Sequence, residues 1–153
     1  LAAFYGQKIA TVAIKAAASF VDMSPVSDTV KSQYSGSLAL RHNSGWNTAF
    51  AVGGQDMKGD ANRQHPWFVY LKLGYRTKAL NSLGRMAFSL DYGVFDELNA
   101  VDEEATVWGL QLVQSIDAWH TEIFAGWRRH SLDSPGIDSG AINLVGTGAR
   151  LKF

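Results

Sequence analysis

Charged side chains recur on one of the two alternating faces of segments whose other face is apolar. Lys72 and Arg76 alternate with Leu71, Leu73 and Tyr75, and Asp91 follows Leu90 in a segment that opens at Arg85. Glu122 and Arg128 flank Ile123, Ala125 and Trp127, and Arg150 and Lys152 alternate with Ala149 and Leu151. Lys15 and Arg41 occupy equivalent places upstream. Groups arranged in this way on one face do their chemistry through electrostatic potential: Arg and Lys lining a passage favour anions, and acids favour cations. If this face borders water, its basic members (Lys15, Arg41, Lys72, Arg76, Arg85, Arg128, Arg150 and Lys152) outweigh Asp91 and Glu122. Arg41, Lys72, Arg85 and Arg128 are the strongest candidates for a basic wall. The competing reading is that such charges only solvate the face or pair with one another.

Other chemistries find less support. Ser89, Asp91 and His120 are of catalytic type, but a nucleophile, a base and an orienting acid must converge on one place, and their spacing does not bring them together; no enzyme is expected. The chain has no cysteine, which removes thiolate metal sites and disulfides. His42, His65, His120 and His130 are scattered, without ligand spacing. The acidic stretch Asp96–Glu104 offers oxygen ligands of the kind Ca²⁺ takes, yet lacks the spacing of a helix-loop-helix calcium loop. A solvated acidic loop is expected there, with no metal and no cofactor.

The elements that position these residues are read from a period of two. The clearest segment sets Trp67, Val69, Leu71, Leu73 and Tyr75 against Phe68, Tyr70, Lys72, Gly74 and Arg76. Met86–Val94, Trp119–Arg128 and Val145–Phe153 repeat the pattern, and Gln33–His42, Trp46–Gly54 and Ala105–Gln114 are weaker members. With a first strand over about Gln7–Val21, eight strands are expected. The connections at Asp22–Ser32, Gly54–Pro66, Phe95–Glu104 and Ser131–Gly140 read as long. Those at His42–Gly45, Thr77–Gly84 and Ser115–Ala118 read as shorter, and the two kinds alternate. An even strand number would place both chain ends on the short-turn side. Acidic residues gather in the long connections: Asp22, Asp28, Asp56, Asp60, Asp96, Glu97, Asp102, Glu103, Glu104, Asp133 and Asp138.

Alternation alone also suits a soluble antiparallel sandwich. Three features argue for an all-β transmembrane antiparallel up-and-down β-barrel instead. Aromatic residues bracket the apolar face, with Trp67 and Tyr75 on one strand, Trp119 and Trp127 on another and Phe153 closing the last. Strands of this length, tilted, span roughly the 25 Å apolar band between the aromatic girdles of such barrels. Charges stand in mid-strand on the opposite face, and the final strand is amphipathic and ends in an aromatic residue. Charged residues are only 18% of the chain and glycines number 15, fewer and more than in an average soluble domain. No apolar run reaches the length of a membrane-spanning helix. The 14 basic and 14 acidic residues balance, which argues against a nucleic-acid partner. All 153 residues read as a single barrel segment with no second domain. The first residue is Leu1, so either a signal has been removed or an N-terminal portion lies outside this sequence.

The run Glu104-Ala105-Thr106-Val107-Trp108-Gly109-Leu110-Gln111-Leu112-Val113-Gln114-Ser115-Ile116-Asp117 resembles the closing region of alphaproteobacterial general diffusion porins. So do Thr121–Arg129, the ending Val145–Phe153, and the upstream pieces Leu40–Gly45 and Tyr70–Tyr75. The resemblance covers most of the chain after Ser32. It implies a trimeric, water-filled, 16-stranded barrel in the outer membrane of a Gram-negative bacterium. Such a barrel passes small hydrophilic solutes and ions, contacts membrane lipid and lipopolysaccharide, and carries a constriction loop in its N-terminal half. The chain is expected to be the C-terminal part of such a barrel. The alternative is a complete eight-stranded barrel with a structural, adhesive or binding role and no open channel.

Overall fold

The computed structural model describes residues 1–59, 64–78, 80–97, 100–136 and 140–152. Asp60, Asp138 and Phe153, singled out from the sequence, lie outside the described residues. The chain forms nine strands: β1 (Ala2–Ile9), β2 (Val12–Asp22), β3 (Val30–His42), β4 (Trp46–Met57), β5 (Trp67–Thr77), β6 (Met86–Asp96), β7 (Glu104–Ile116), β8 (Thr121–Asp133) and β9 (Ile142–Leu151). They make one antiparallel sheet in sequence order, each strand bonded to the next. β1 and β9 do not pair with each other among the described residues, so the sheet is open.

The all-β, up-and-down architecture expected from the alternation is present, but the number of strands is nine rather than eight. The difference lies at the start. Gln7–Val21 is not one strand; it contains a tight turn at residues 10–11, across which Ile9 pairs with Val12 and Ala2 with Ser19. Ala10 enters that turn with a φ of 49°, in the left-handed region that glycine normally supplies. The turn carries no Gly, Asn, Asp or Pro to mark it, although the phase of the alternation shifts by one across it, from Gln7 and Ile9 to Val12 and Ile14.

Tight connections at residues 10–11, 43–45 and 117–120 gather at one end of the sheet, together with the longer 78–85. The connections that follow β2, β4, β6 and β8 leave from the other end. The alternation is therefore less strict than expected, because 78–85 is as long as several connections opposite it. β1 starts at the long-connection end, which differs from the expected even count with both ends on the short-turn side. One irregularity in register, between Val30 and Ser32, bends the start of β3 against β4.

Because side chains alternate across each strand, continuous pairing sorts them onto two faces. One row runs Lys15, Ala39, Ala49, Lys72, Asp91, Gly109, Arg128 and Leu144. A row of the opposite face runs Leu38, Phe50, Leu71, Tyr92 and Trp108. The sheet is a single layer, and nothing among the described residues covers the second face: Phe50, Leu71, Phe88, Leu90, Leu110 and Leu112 are all exposed. Ile116 is the one apolar residue counted as buried among the described residues. The accessible surface is 10365 Å², against about 7,600 Å² for a compact monomer of this mass. The excess is what an open single layer exposes on both of its faces.

Candidate functional site

The polar face holds the candidate charges, and cross-strand register decides which of them meet. Lys15, Arg41, Lys72 and Arg76 line one depression of about 500 Å³, floored by Ala13, Ala39, Ala49 and Ala87. Small side chains on β2, β3, β4 and β6 leave the space, and longer cations border it without an acid among its lining residues. Lys72 reaches sideways, donating from Nζ to Gln111 Oε1 at 3.2 Å, and Ser89 Oγ donates to the same oxygen at 3.5 Å. The ammonium is thereby held over β6, next to the row that carries Asp91.

Arg128 belongs to a different arrangement. Its Nη2 donates to Asp91 Oδ2 at 2.8 Å, bridging β6 and β8 across the strand between them. Gly109 of β7, paired with both residues, makes the bridge possible. A Cβ at that position would stand 2.5 Å from Asp91 Oδ1. The Asp91 side chain is fully buried while Arg128 keeps 41% of its side chain exposed. Asp91 Oδ1 has no hydrogen-bond partner among the described residues, so the carboxylate depends on the guanidinium for compensation. Arg128 is thus a paired residue of the polar face, and its charge is compensated by Asp91.

A third group forms at the tight-turn end. Glu122 accepts from Arg150 and Lys152 across the β8–β9 pair, and from Ser115 Oγ at 3.5 Å. Arg85 is positioned by the turn before β6, which folds onto the end of β7: Ser115 N donates to Arg85 O at 2.7 Å, and Asp117 N to Leu83 O at 2.9 Å. Asn81 Nδ2 donates to Gln114 Oε1 at 2.7 Å and secures the same turn. Gly84, at a φ of 148°, packs where a Cβ would lie 2.7 Å from Asp117 Oδ1 and Ser115 O. Arg76 joins the two basic groups, lining both depressions.

The catalytic-type residues do not converge. His120 follows the 3-10 turn Asp117–Trp119 at the tight-turn end, whereas Asp91 pairs at the level of Arg128, eight residues further along β8 and thus about 25 Å away. Ser89 is engaged by Gln111. In the acidic connection, Glu97 accepts backbone N–H bonds from His65 and Asp102. Those N–H groups hold its carboxyl below the ordinary 4.5 and make it a clasp between two long connections.

The aromatic residues are placed partly as expected. Trp67 and Tyr75 lie on the apolar face at opposite ends of β5. Trp119, however, sits in the 3-10 turn, and β8 begins only at Thr121, so Trp127 stands near the middle of that strand rather than at its end. Among the aromatic pairs that escape the sequence reading, two lie on the apolar face. Trp46 and Tyr75 meet at 4.9 Å between ring centroids, and Tyr92 and Trp108 at 4.3 Å. Both are directly opposed across neighbouring strands, a relation visible only once register is known.

Comparison with known protein families, with curated proteins and with solved structures finds no match.

Proposed function

We propose that this sheet is part of the wall of an outer-membrane porin, a water-filled channel for passive diffusion of small hydrophilic solutes and ions. The observation that carries the reading is the uncovered apolar face of an up-and-down sheet, backed by a polar face studded with cations. Lipid hydrocarbon is the partner that such a face fits without a second protein layer, with lipopolysaccharide at the outer leaflet. Water fits the other face, where alanines, serines and glycines leave room between the charges. Such a wall performs no reaction; it filters by charge.

The open edges extend the proposal. β1 and β9 run in the same direction in a sheet of nine antiparallel strands. Each would leave a row of backbone groups unpaired in hydrocarbon, at several kcal/mol per group. Antiparallel closure therefore calls for an odd number of further strands; the sixteen implied by the porin resemblance would need seven beyond these nine. That parity favours the larger barrel over a self-contained eight-stranded one. Assembly as a homotrimer and a constriction loop among the further strands belong to the same proposal.

The facing is tested by paired substitutions in the protein folded into lipid bilayers. Leu71→Arg, on the apolar face of β5, is expected to cost about 2–4 kcal/mol of folding free energy, as charges do at mid-membrane depth. Lys72→Ala, the next residue and on the other face, is expected to stay within about 0.5 kcal/mol. Equal costs at the two positions would sink the proposed orientation.

A further inference from the structure

We propose that the groove at the tight-turn end of the polar face is a binding site for small multivalent oxyanions of the phosphate type, such as phosphate monoesters and polyphosphates. The groove encloses about 470 Å³, within the roughly 300–1,000 Å³ typical of small-molecule sites. Five Lys and Arg side chains line it (Arg76, Lys78, Arg85, Arg150 and Lys152) against two carboxylates, Asp117 and Glu122. The acids are already committed. Glu122 is shared by Arg150 and Lys152, while Asp117 meets Lys78 only at 3.9 Å, with both side chains more than 60% exposed.

The guanidinium groups of Arg76 and Arg85 have no ion-pair or hydrogen-bond partner among the described residues. Two uncommitted forks on one groove, one from β5 and one from the connection that leads to β6, present donors that match phosphate oxygens bidentately. The scaffold beneath them is set in advance. The backbone bonds from Ser115 and Asp117 fix the turn that carries Arg85, and Arg76 is a strand residue whose N–H donates to Gly45 O at 3.0 Å. A monovalent anion would leave most of the net charge of the groove unanswered; a di- or trianion answers it. The Asp91–Arg128 pair, by contrast, offers no free cation, which is why the site falls at this end of the face.

The site does not depend on whether the sheet conducts. The test is calorimetric titration of the purified protein in detergent micelles with inorganic pyrophosphate at low salt. Saturable binding is expected, weakened by added NaCl as screening requires. It should weaken further, about tenfold for each arginine removed, in Arg76→Gln and Arg85→Gln. Lys58→Gln, at the long-connection end, serves as the control and should leave binding unchanged, and circular dichroism confirms that every variant keeps its strand content. Absence of saturable binding, or equal loss in the Lys58 control, would overturn the site. Binding without conductance would count against the porin reading alone, and conductance without binding against the site alone.

Discussion

At the scale of single residues, the charges of the polar face fall into committed and uncommitted groups, and the difference is geometric. Arg128 is bound to a carboxylate that burial would otherwise strand, so Arg128→Ala should cost about 3 kcal/mol by leaving Asp91 uncompensated. Gly109→Ala should cost on the order of 1–3 kcal/mol, because its Cβ would enter the space of the Asp91 carboxylate. Chemical denaturation in micelles measures both, and near-neutral values would mean that the pair is not formed. Glu97 sets a pH dependence. Its carboxyl is held below 4.5 by the N–H groups of His65 and Asp102. A depressed carboxyl contributes stability that is present above 4.5 and is lost as the pH falls through its lower folded value. The protection of the His65 and Asp102 amides, taken relative to their intrinsic exchange rates at each pH, should therefore fall as acid is added below about pH 4.5 and stay level between neutrality and that point. Which residues pair was not legible in the sequence. Asp91 and Arg128 are separated by 37 positions, and their contact depends on a glycine in a third strand.

At the scale of elements, period two locates β3 to β9 and assigns their faces, because alternation reports the pleat directly, but it merges β1 and β2 into one strand. It fails at the Ala10–Thr11 turn, a reversal without a turn residue across which the phase shifts by only one position. It also fails at Trp119, where an apolar residue in phase with β8 belongs to the turn before it. The same turn gives a test. Ala10 holds a left-handed conformation that costs a non-glycine residue about 1 kcal/mol or more, so Ala10→Gly should stabilise the β1–β2 hairpin by about that amount. A destabilisation of similar size would instead support an uninterrupted first strand over Gln7–Val21. The longer 78–85 connection blurs the contrast between the two ends of the sheet, but it is folded onto β7 by Asn81, Leu83 and Arg85 and behaves as an extension of the ladder.

At the scale of the whole molecule, the sheet separates its surroundings twice. Across its thickness, one face is apolar and uncovered and the other polar. Along its strands, the basic groups Arg41, Arg76, Lys78, Arg85, Arg150 and Lys152 collect toward the tight turns. Asp22, Asp28, Asp56, Asp96, Glu97, Asp102, Glu103, Glu104 and Asp133 collect toward the long connections. The first separation suits a boundary between lipid and water; the second would lay an electric field along any passage beside the polar face. A basic wall read from Arg41, Lys72, Arg85 and Arg128 is thereby refined. Lys15, Arg41, Lys72 and Arg76 share one depression, Arg76 and Arg85 share another with Arg150, and Arg128 is neutralised.

The measurement that bears most directly on the account is conductance of the purified native protein in a planar bilayer, with a salt gradient to give the reversal potential. The account predicts discrete steps, opening in groups of three, with a reversal potential of the sign that anion preference produces and a shift toward cations when Arg41, Arg76 and Arg85 are replaced by Gln. A protein that inserts into the bilayer and passes no current would contradict it.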